Sequence, residues 1–462
     1  MIRLFLQALG RQASSLPTLR HERRFRFRSL AAVLSAMAVL TLSRAQETNS
    51  PPLQYLNTPV LSQALETNLP ALPPPVYMRE AAPAPPLAGT RQVYTPSAVP
   101  LPAVPPLFRW GPLAFQSHLS YNFSYGDGLT ATPGQQTKTA INELCPGMIL
   151  QWGRHWTLDY TPILRFYSSS AFRDTLDHSV NLNGGTTYEE WTFGFSQSYV
   201  SSSEPLIETG SQTDQQTLAT RLSADYQMSS QTSLELGLSQ NLRLLDRSSG
   251  GEQLNNQNSW STMNWLNHQV WPDFGAAVGA GFGYDDNSSS SDILSEQVQG
   301  RITWQVVEKL SLMVSGGANC MQFLGSGASD LLSPVFSLSV QYSPSEATTL
   351  SVSAYNAVSP SYFQDQVTES TSISAGLHQR LLGKLHLNLS GGYGNSTYHA
   401  SSTAPASSRS DYETTSFSAS LSTSFLKRGS ASVSYSVNYN SSGAASYDYT
   451  TSVVGFQLSY RY

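Results

Sequence analysis

The sequence predicts an all-β chain, a transmembrane antiparallel up-and-down β-barrel of about eighteen strands. Three observations predict it. Apolar and polar residues alternate with period two in segment after segment beyond Leu113. The connections between those segments are by turns tight and long. The composition is poor in charge without being hydrophobic: 12% charged, 11% aromatic and 40% hydrophobic residues, with a mean hydropathy of −0.24. Spanning helices need runs of roughly 18 or more apolar residues, and none occurs. Strands with one face to lipid and one to water need no such runs, because Ser, Thr, Asn and Gln fill every second position.

The chain begins with a basic cluster, Arg20, Arg23, Arg24, Arg26 and Arg28, followed by an apolar run from Ser29 to Leu42. That run is shorter than the roughly 20 residues of a spanning helix. Small residues at Ser43 and Ala45 complete the pattern of a secretory signal cleaved before Gln46, so residues 1–45 are read as a signal peptide. Residues 46–112 are rich in proline, as in Leu72-Pro73-Pro74-Pro75 and Val104-Pro105-Pro106. Such a segment favours extended conformations and lacks apolar periodicity, so it is expected to be a disordered periplasmic linker. The barrel is assigned to residues 113–462.

Within the barrel region Leu113, Phe115, Leu119, Tyr121, Phe123 and Tyr125 share one parity, and Gln116, His118, Ser120, Asn122 and Ser124 the other. A strand places those two sets on opposite faces. The pattern returns at Leu218–Tyr226, Leu234–Arg243, Ser372–Leu381 and Leu385–Tyr393. Tight turns are read near Gly153, Glu189-Glu190, Met228-Ser229-Ser230, Trp271-Pro272-Asp273, Val307-Glu308-Lys309, Ser343-Pro344-Ser345, Leu382-Gly383-Lys384 and Arg428-Gly429, with longer polar loops between them. Short turns on one rim and long loops on the other are the asymmetry of outer-membrane barrels. The last segment alternates Phe456, Leu458, Tyr460 and Tyr462 with Gln457, Ser459 and Arg461, and ends on the aromatic.

These features together resemble the outer-membrane β-barrel porin family of Gram-negative bacteria, particularly porin-like barrels with Ser- and Tyr-rich strands sometimes found near polysaccharide export genes. The resemblance covers residues 113–462 and rests on pattern, not on a catalytic motif. It implies a location in the bacterial outer membrane after signal-directed export, contact with outer-membrane lipid and the barrel-assembly machinery, and passage of small hydrophilic solutes or oligosaccharides. Phe456, Leu458, Tyr460 and Tyr462 are similar to the C-terminal assembly signal of such proteins. The alternative is a non-conducting structural or assembly component of a surface-polysaccharide export apparatus, with periplasmic export proteins as partners.

Charged residues on the wet parity are sparse: Asp159, Arg165, Arg221, Asp225, Glu235, Arg243, Arg301, His378 and Arg380. Such residues are expected to line the lumen and tune conduction, since rings of charge set selectivity in pores. They serve equally well as structural ion pairs, Arg221 with Asp225 on one strand being one candidate. Tryptophans and tyrosines such as Trp110, Trp152, Trp156, Trp191, Trp304, Tyr342, Tyr393 and Tyr460 suit an interfacial girdle, or alternatively a lumenal track for sugars.

No catalytic function, cofactor or metal site is expected. No nucleophile elbow occurs, and His118, His268, His378 and His386 read as polar lumen lining. Cys145 and Cys320 lie far apart without metal-ligand spacing and read as small apolar side chains. A net charge of −5 argues against a nucleic-acid partner, which calls for a clustered basic surface.

If the terminal alternation is an assembly signal, deleting Tyr462 or replacing it with Asp will impair assembly far more than the same change at Arg461. Folding yield into the outer membrane, followed by heat-modifiable gel migration, measures this, and equal effects would remove Tyr462 from the signal.

Overall fold

Alternating faces and short turns leave one way to satisfy every backbone donor in a membrane, which is sideways pairing around a closed wall. The computed structural model describes residues 108–462, apart from 128–130, 133–134, 154, 204, 207–210, 246–255, 289–290, 326–328, 361–365, 401–410, 427 and 443–447. Residues 1–45, expected to be a signal peptide, and nearly all of the Pro-rich segment lie outside the described residues.

Eighteen long strands form the wall. The first six are β1 (Leu113–Asp127), β2 (Thr139–Trp152), β3 (Trp156–Tyr167), β4 (Thr175–Tyr188), β5 (Trp191–Ser202) and β6 (Gln215–Gln227). The next six are β7 (Thr232–Leu245), β8 (Gln257–Trp271), β9 (Phe274–Asn287), β10 (Asp292–Val307), β11 (Leu310–Leu324) and β12 (Leu331–Ser345). The last six are β13 (Thr348–Pro360), β14 (Gln366–Leu381), β15 (Leu385–Ala400), β16 (Tyr412–Phe425), β17 (Gly429–Ser442) and β18 (Tyr449–Arg461). Each pairs antiparallel with its sequence neighbour, and β18 pairs with β1 through His118↔Arg461 to Asp127↔Ser452. The barrel therefore has no free edge. Phe108–Trp110 adds a short strand that folds back on Leu113–Phe115.

The even strand number puts the start of β1 and the end of β18 on one rim, where the tight turns lie. Strands of 12 to 16 residues are ~40–53 Å long and rise about 30–40 Å at a tilt of ~40°, more than the ~25 Å apolar band, so both rims stand in water. The turn between β14 and β15 places Leu382 (φ 49°) and Gly383 (φ 74°) in the left-handed region. Those signs fit the turn type whose twist matches a hairpin. The turn between β12 and β13 falls at residues 346–347, two positions beyond the expected Ser343-Pro344-Ser345, which ends inside the strand.

The inner face is identified by a reach. Arg301 on β10 touches Glu235 on β7 across β8 and β9, which is possible only on the concave side of the wall. The expected wet parity is therefore the lumen side. The opposite rows carry exposed Leu, Val and Phe, including Val278, Val298 and Leu332 at 67%, 62% and 72% exposure, an outer surface suited to hydrocarbon. Aromatics gather beside the tight turns: Trp191 stacks on Tyr226 at 4.7 Å, and Trp271, Phe274 and Trp304 form a run. A small apolar cluster of Ile293, Met321 and Val367 sits at the loop-side rim with Phe323, Leu331 and Val358 against it. It gathers the loop-side ends of β10 to β14.

Two neighbouring positions on β14 test the inside-outside assignment. Leu377 lies in a row with Leu350 and Leu389, and Ser374 in a row with Ser353 and Gly392. Leu377→Arg is expected to cost about 2–4 kcal/mol of stability in lipid, and Ser374→Arg far less. Denaturant titration of the refolded barrel measures both, and the reverse order would invert the faces.

Candidate functional site

A curved wall with serine, asparagine and glycine on its concave side leaves its few charges to define the lumen. The structure places all nine wet-parity charged residues on the inner rows and assembles most of them into groups with partners from other strands.

Near the loop-side rim Arg165 on β3 is buried between two carboxylates. Its Nε donates to Glu143 Oε1 of β2 at 2.7 Å and its Nη1 to Asp177 Oδ2 of β4 at 2.7 Å. Asn122 of β1 donates to the other Glu143 oxygen at 3.3 Å. Closer to the turn rim, Asp159 accepts from Thr161 at 3.0 Å and lies 3.6 Å from His118 Nε2. Thr161 Oγ1 meets that same ring nitrogen at 3.3 Å. In a nucleophilic relay the hydroxyl and carboxylate take opposite ring nitrogens, so this arrangement holds a histidine and is not a catalytic triad.

A second group crosses β7 to β10. One Arg301 nitrogen, Nη2, donates to Glu235 and to Asn267, each at 2.7 Å. Its guanidinium carbon lies 4.2 Å from the centre of the Trp265 ring. Trp265 can lie flat because β9 presents glycine to the lumen: a Cβ at Gly279 would sit 2.5 Å from the Trp265 ring and 2.7 Å from Met263 Cε. A glycine on one strand thus makes room for an indole from the next, which in turn carries the arginine. Loopward, Arg243 donates to Gln257 at 2.9 Å, and Gln257 to Asp285 at 3.2 Å.

The third group lies near the turn rim of β14 and β15. His378 Nδ1 is 2.6 Å from Asn388 Oδ1, and its Nε2 is 3.4 Å from His386 Nδ1. The two rings stack at 5.4 Å, and Arg380 follows on the same inner row.

Two expectations change. Arg221 and Asp225 form no ion pair among the described residues, because positions four apart on a strand are separated by ~13 Å. Asp225 instead stands opposite Glu235. His268 is on the outer parity, with Thr232 Oγ1 at 3.1 Å from its Nδ1, so it does not line the lumen. Of the aromatics, the girdle tryptophans face outward, and the indole inside the lumen is Trp265. Cys145 lies on an inner row and Cys320 on an outer one, and both are free.

Partners that the sequence reading did not single out are Glu143, Asp177, Asn267, Gln257 and Asp285. Each lies on the wet parity, but knowing that it meets an arginine requires the cross-strand register. Outside the wall, Arg173 and Asp214 pair. The Ser203 hydroxyl and the Arg173 guanidinium hold the Asp214 carboxyl below the usual range, which staples two loop-side connections together.

No protein-family model and no curated protein matches the chain. Among solved structures, the chain is similar to the siderophore receptor PirA from Pseudomonas aeruginosa, at 9% identity over 78% of this chain and 81% of that one, with a TM-score of 0.42. Similar again are OccAB4 of Acinetobacter baumannii, at 10% identity over 75% and 98% with a TM-score of 0.44, and a bacterial polysaccharide outer membrane secretin, at 9% over 75% and 98% with a TM-score of 0.35. The closed wall stands on its own hydrogen-bonded register, independent of these likenesses.

The Arg165 group has a measurable consequence. Arg165→Met leaves the buried Asp177 and the partly buried Glu143 without their shared cation and is expected to destabilise the barrel by about 3–5 kcal/mol, chiefly through Asp177. An unfolding midpoint changed by no more than a surface pair's worth, about 1 kcal/mol or less, would show that the group is not buried in solution.

Proposed function

We propose that the protein is an outer-membrane, porin-like channel for passive passage of small hydrophilic solutes or oligosaccharides. The observation that carries this reading is the inner wall of an 18-stranded barrel, lined by serine, asparagine, glycine and clustered charges. Barrels of about 16–18 strands leave an aqueous lumen rather than a packed core. The apolar outer rows and the aromatics beside the tight turns support a location in the outer membrane.

In this reading the wall charges act on solutes and ions, not on bonds. Arg301, pinned by Glu235 and Asn267, compensates one of the two facing carboxylates and leaves Asp225 as the surplus. At that height near the turns the patch favours cations, since Arg221 lies ~13 Å further along β6. The outer rows of β18, with Phe456, Leu458, Tyr460 and Tyr462, present the apolar ladder by which assembly machinery would engage the closing strand.

Planar bilayers test the channel. Purified protein is expected to give steady single-channel steps, and Arg301→Met to move the reversal potential in a salt gradient toward cation selectivity, since it leaves two carboxylates uncompensated. Absence of steps from correctly folded protein would favour a non-conducting component of an export apparatus.

A further inference from the structure

The arc of the inner wall from β12 to β17 is unlike the rest in its charge. Near the turn-side rim its ionisable inner-row groups are His378 and Arg380 on β14 and His386 on β15. The inner-row residues facing them are neutral: Thr349 and Ser351 on β13, Asn388 on β15, and Ser420 and Ser422 on β16. At the rim itself stand, among the described residues, Lys384 in the β14–β15 turn, Arg428 in the β16–β17 turn, and Glu346 in the β12–β13 turn. Arg380 forms no ion pair with Glu346 or any other carboxylate among the described residues. This contrasts with Arg165 and Arg301, each held at 2.7 Å from an acid.

The histidines are arranged as a relay. With Asn388 Oδ1 as acceptor, His378 Nδ1 carries a proton, and the neutral His378 Nε2 then accepts from His386 Nδ1. A further proton leaves the stacked pair charged beside Arg380, with no acid on that arc to offset it. Eight strands around the wall, close to diametrically opposite in an 18-stranded ring, Asp225 and Glu235 stand at a similar height above the turns. With Glu235 held by Arg301, the lumen mouth thus has one surplus carboxylate, Asp225, facing a basic patch.

We propose that His378, His386 and Arg380 form a binding subsite for a small oxyanion at the turn-side mouth of the lumen, filled when the histidine pair is protonated. The guanidinium supplies a fixed fork of donors and the imidazolium pair a conditional one, so occupancy rises as pH falls through the histidine range. Access to the site rests on the reading of the barrel as an open channel, but binding itself does not require conduction.

Inorganic phosphate is the probe. Phosphorus NMR line broadening on the folded, detergent-purified barrel is expected to report binding that weakens about tenfold from about pH 5.5 to about pH 8. His378→Asn/His386→Asn should abolish the tightening at low pH, since phosphate's own second ionisation acts the other way, and Arg380→Gln should weaken binding at both pH values. In bilayers, wild-type reversal potentials should move toward anions on acidification, and the double variant's should not. Equal phosphate binding by wild type and double variant at about pH 5.5, or binding tighter at about pH 5.5 than at about pH 8 in that variant, would overturn the subsite. Phosphate binding without conductance would sink the channel reading and leave the subsite standing. Heat-modifiable migration of each variant confirms that it is folded before either readout is taken.

Discussion

Closure is the constraint on which everything else in this barrel depends. A backbone in hydrocarbon must find every hydrogen bond within the protein, and a sheet does so only if its last strand returns to its first. Here that return is the pairing of β18 with β1, finished by the amide of Tyr462 donating to the Ser117 carbonyl at 2.9 Å. With no edge, each strand has one lipid face and one lumen face along its whole length. The period-two pattern follows from that requirement. So does the shortage of charge, since only one of the two faces tolerates it.

Because closure dictates the pattern, the architecture was legible in the sequence. The parity of Leu113 to Tyr125, the turn residues at Met228 to Ser230 and at Leu382 to Lys384, and the terminal ladder to Tyr462 each report a local condition that the backbone itself imposes. Where the reading slipped, a local rule met a competing one. Ser343-Pro344-Ser345 has the chemistry of a turn, but Pro344 is accommodated at the end of β12, and the chain reverses two residues later. His268 sits in a polar sequence beside a tight turn, at the end of a strand where a polar side chain is tolerated on the outer parity, so its polarity did not predict lumen.

The groups inside the lumen were legible only as membership, not as pairing. Sequence places Arg165, Arg243 and Arg301 on the wet face, since that needs only parity. It cannot supply Glu143, Gln257 or Glu235 as their partners, because partnership depends on register between strands and, for Arg301, on curvature that brings β10 within reach of β7. The pair proposed from sequence alone, Arg221 with Asp225, failed for a related reason: along an extended strand neighbours in sequence drift apart, while neighbours across it meet.

Glycine ties these levels together. On β9 the inner row runs Gly275, Ala277, Gly279, Gly281 and Gly283, a stretch that weakens a strand on its own account, since glycine loses the most freedom on folding and packs nothing. The neighbouring strand uses the space: Trp265 lies over Gly279 and supports Arg301, whose partner Glu235 is three strands away from it, on β7. The arginine is thereby pressed against the wall and held by an acid, an amide and a ring, instead of extending into the lumen. The β14–β15 arc also has inner-row glycines, Gly376, Gly392 and Gly394, but no indole lies over them and no acid stands on its inner rows beside Arg380, so Arg380 and His378 remain exposed to the lumen. The difference between a charge that braces the wall and a charge that faces the lumen is therefore set by the acid, amide and ring that adjacent strands place beside it.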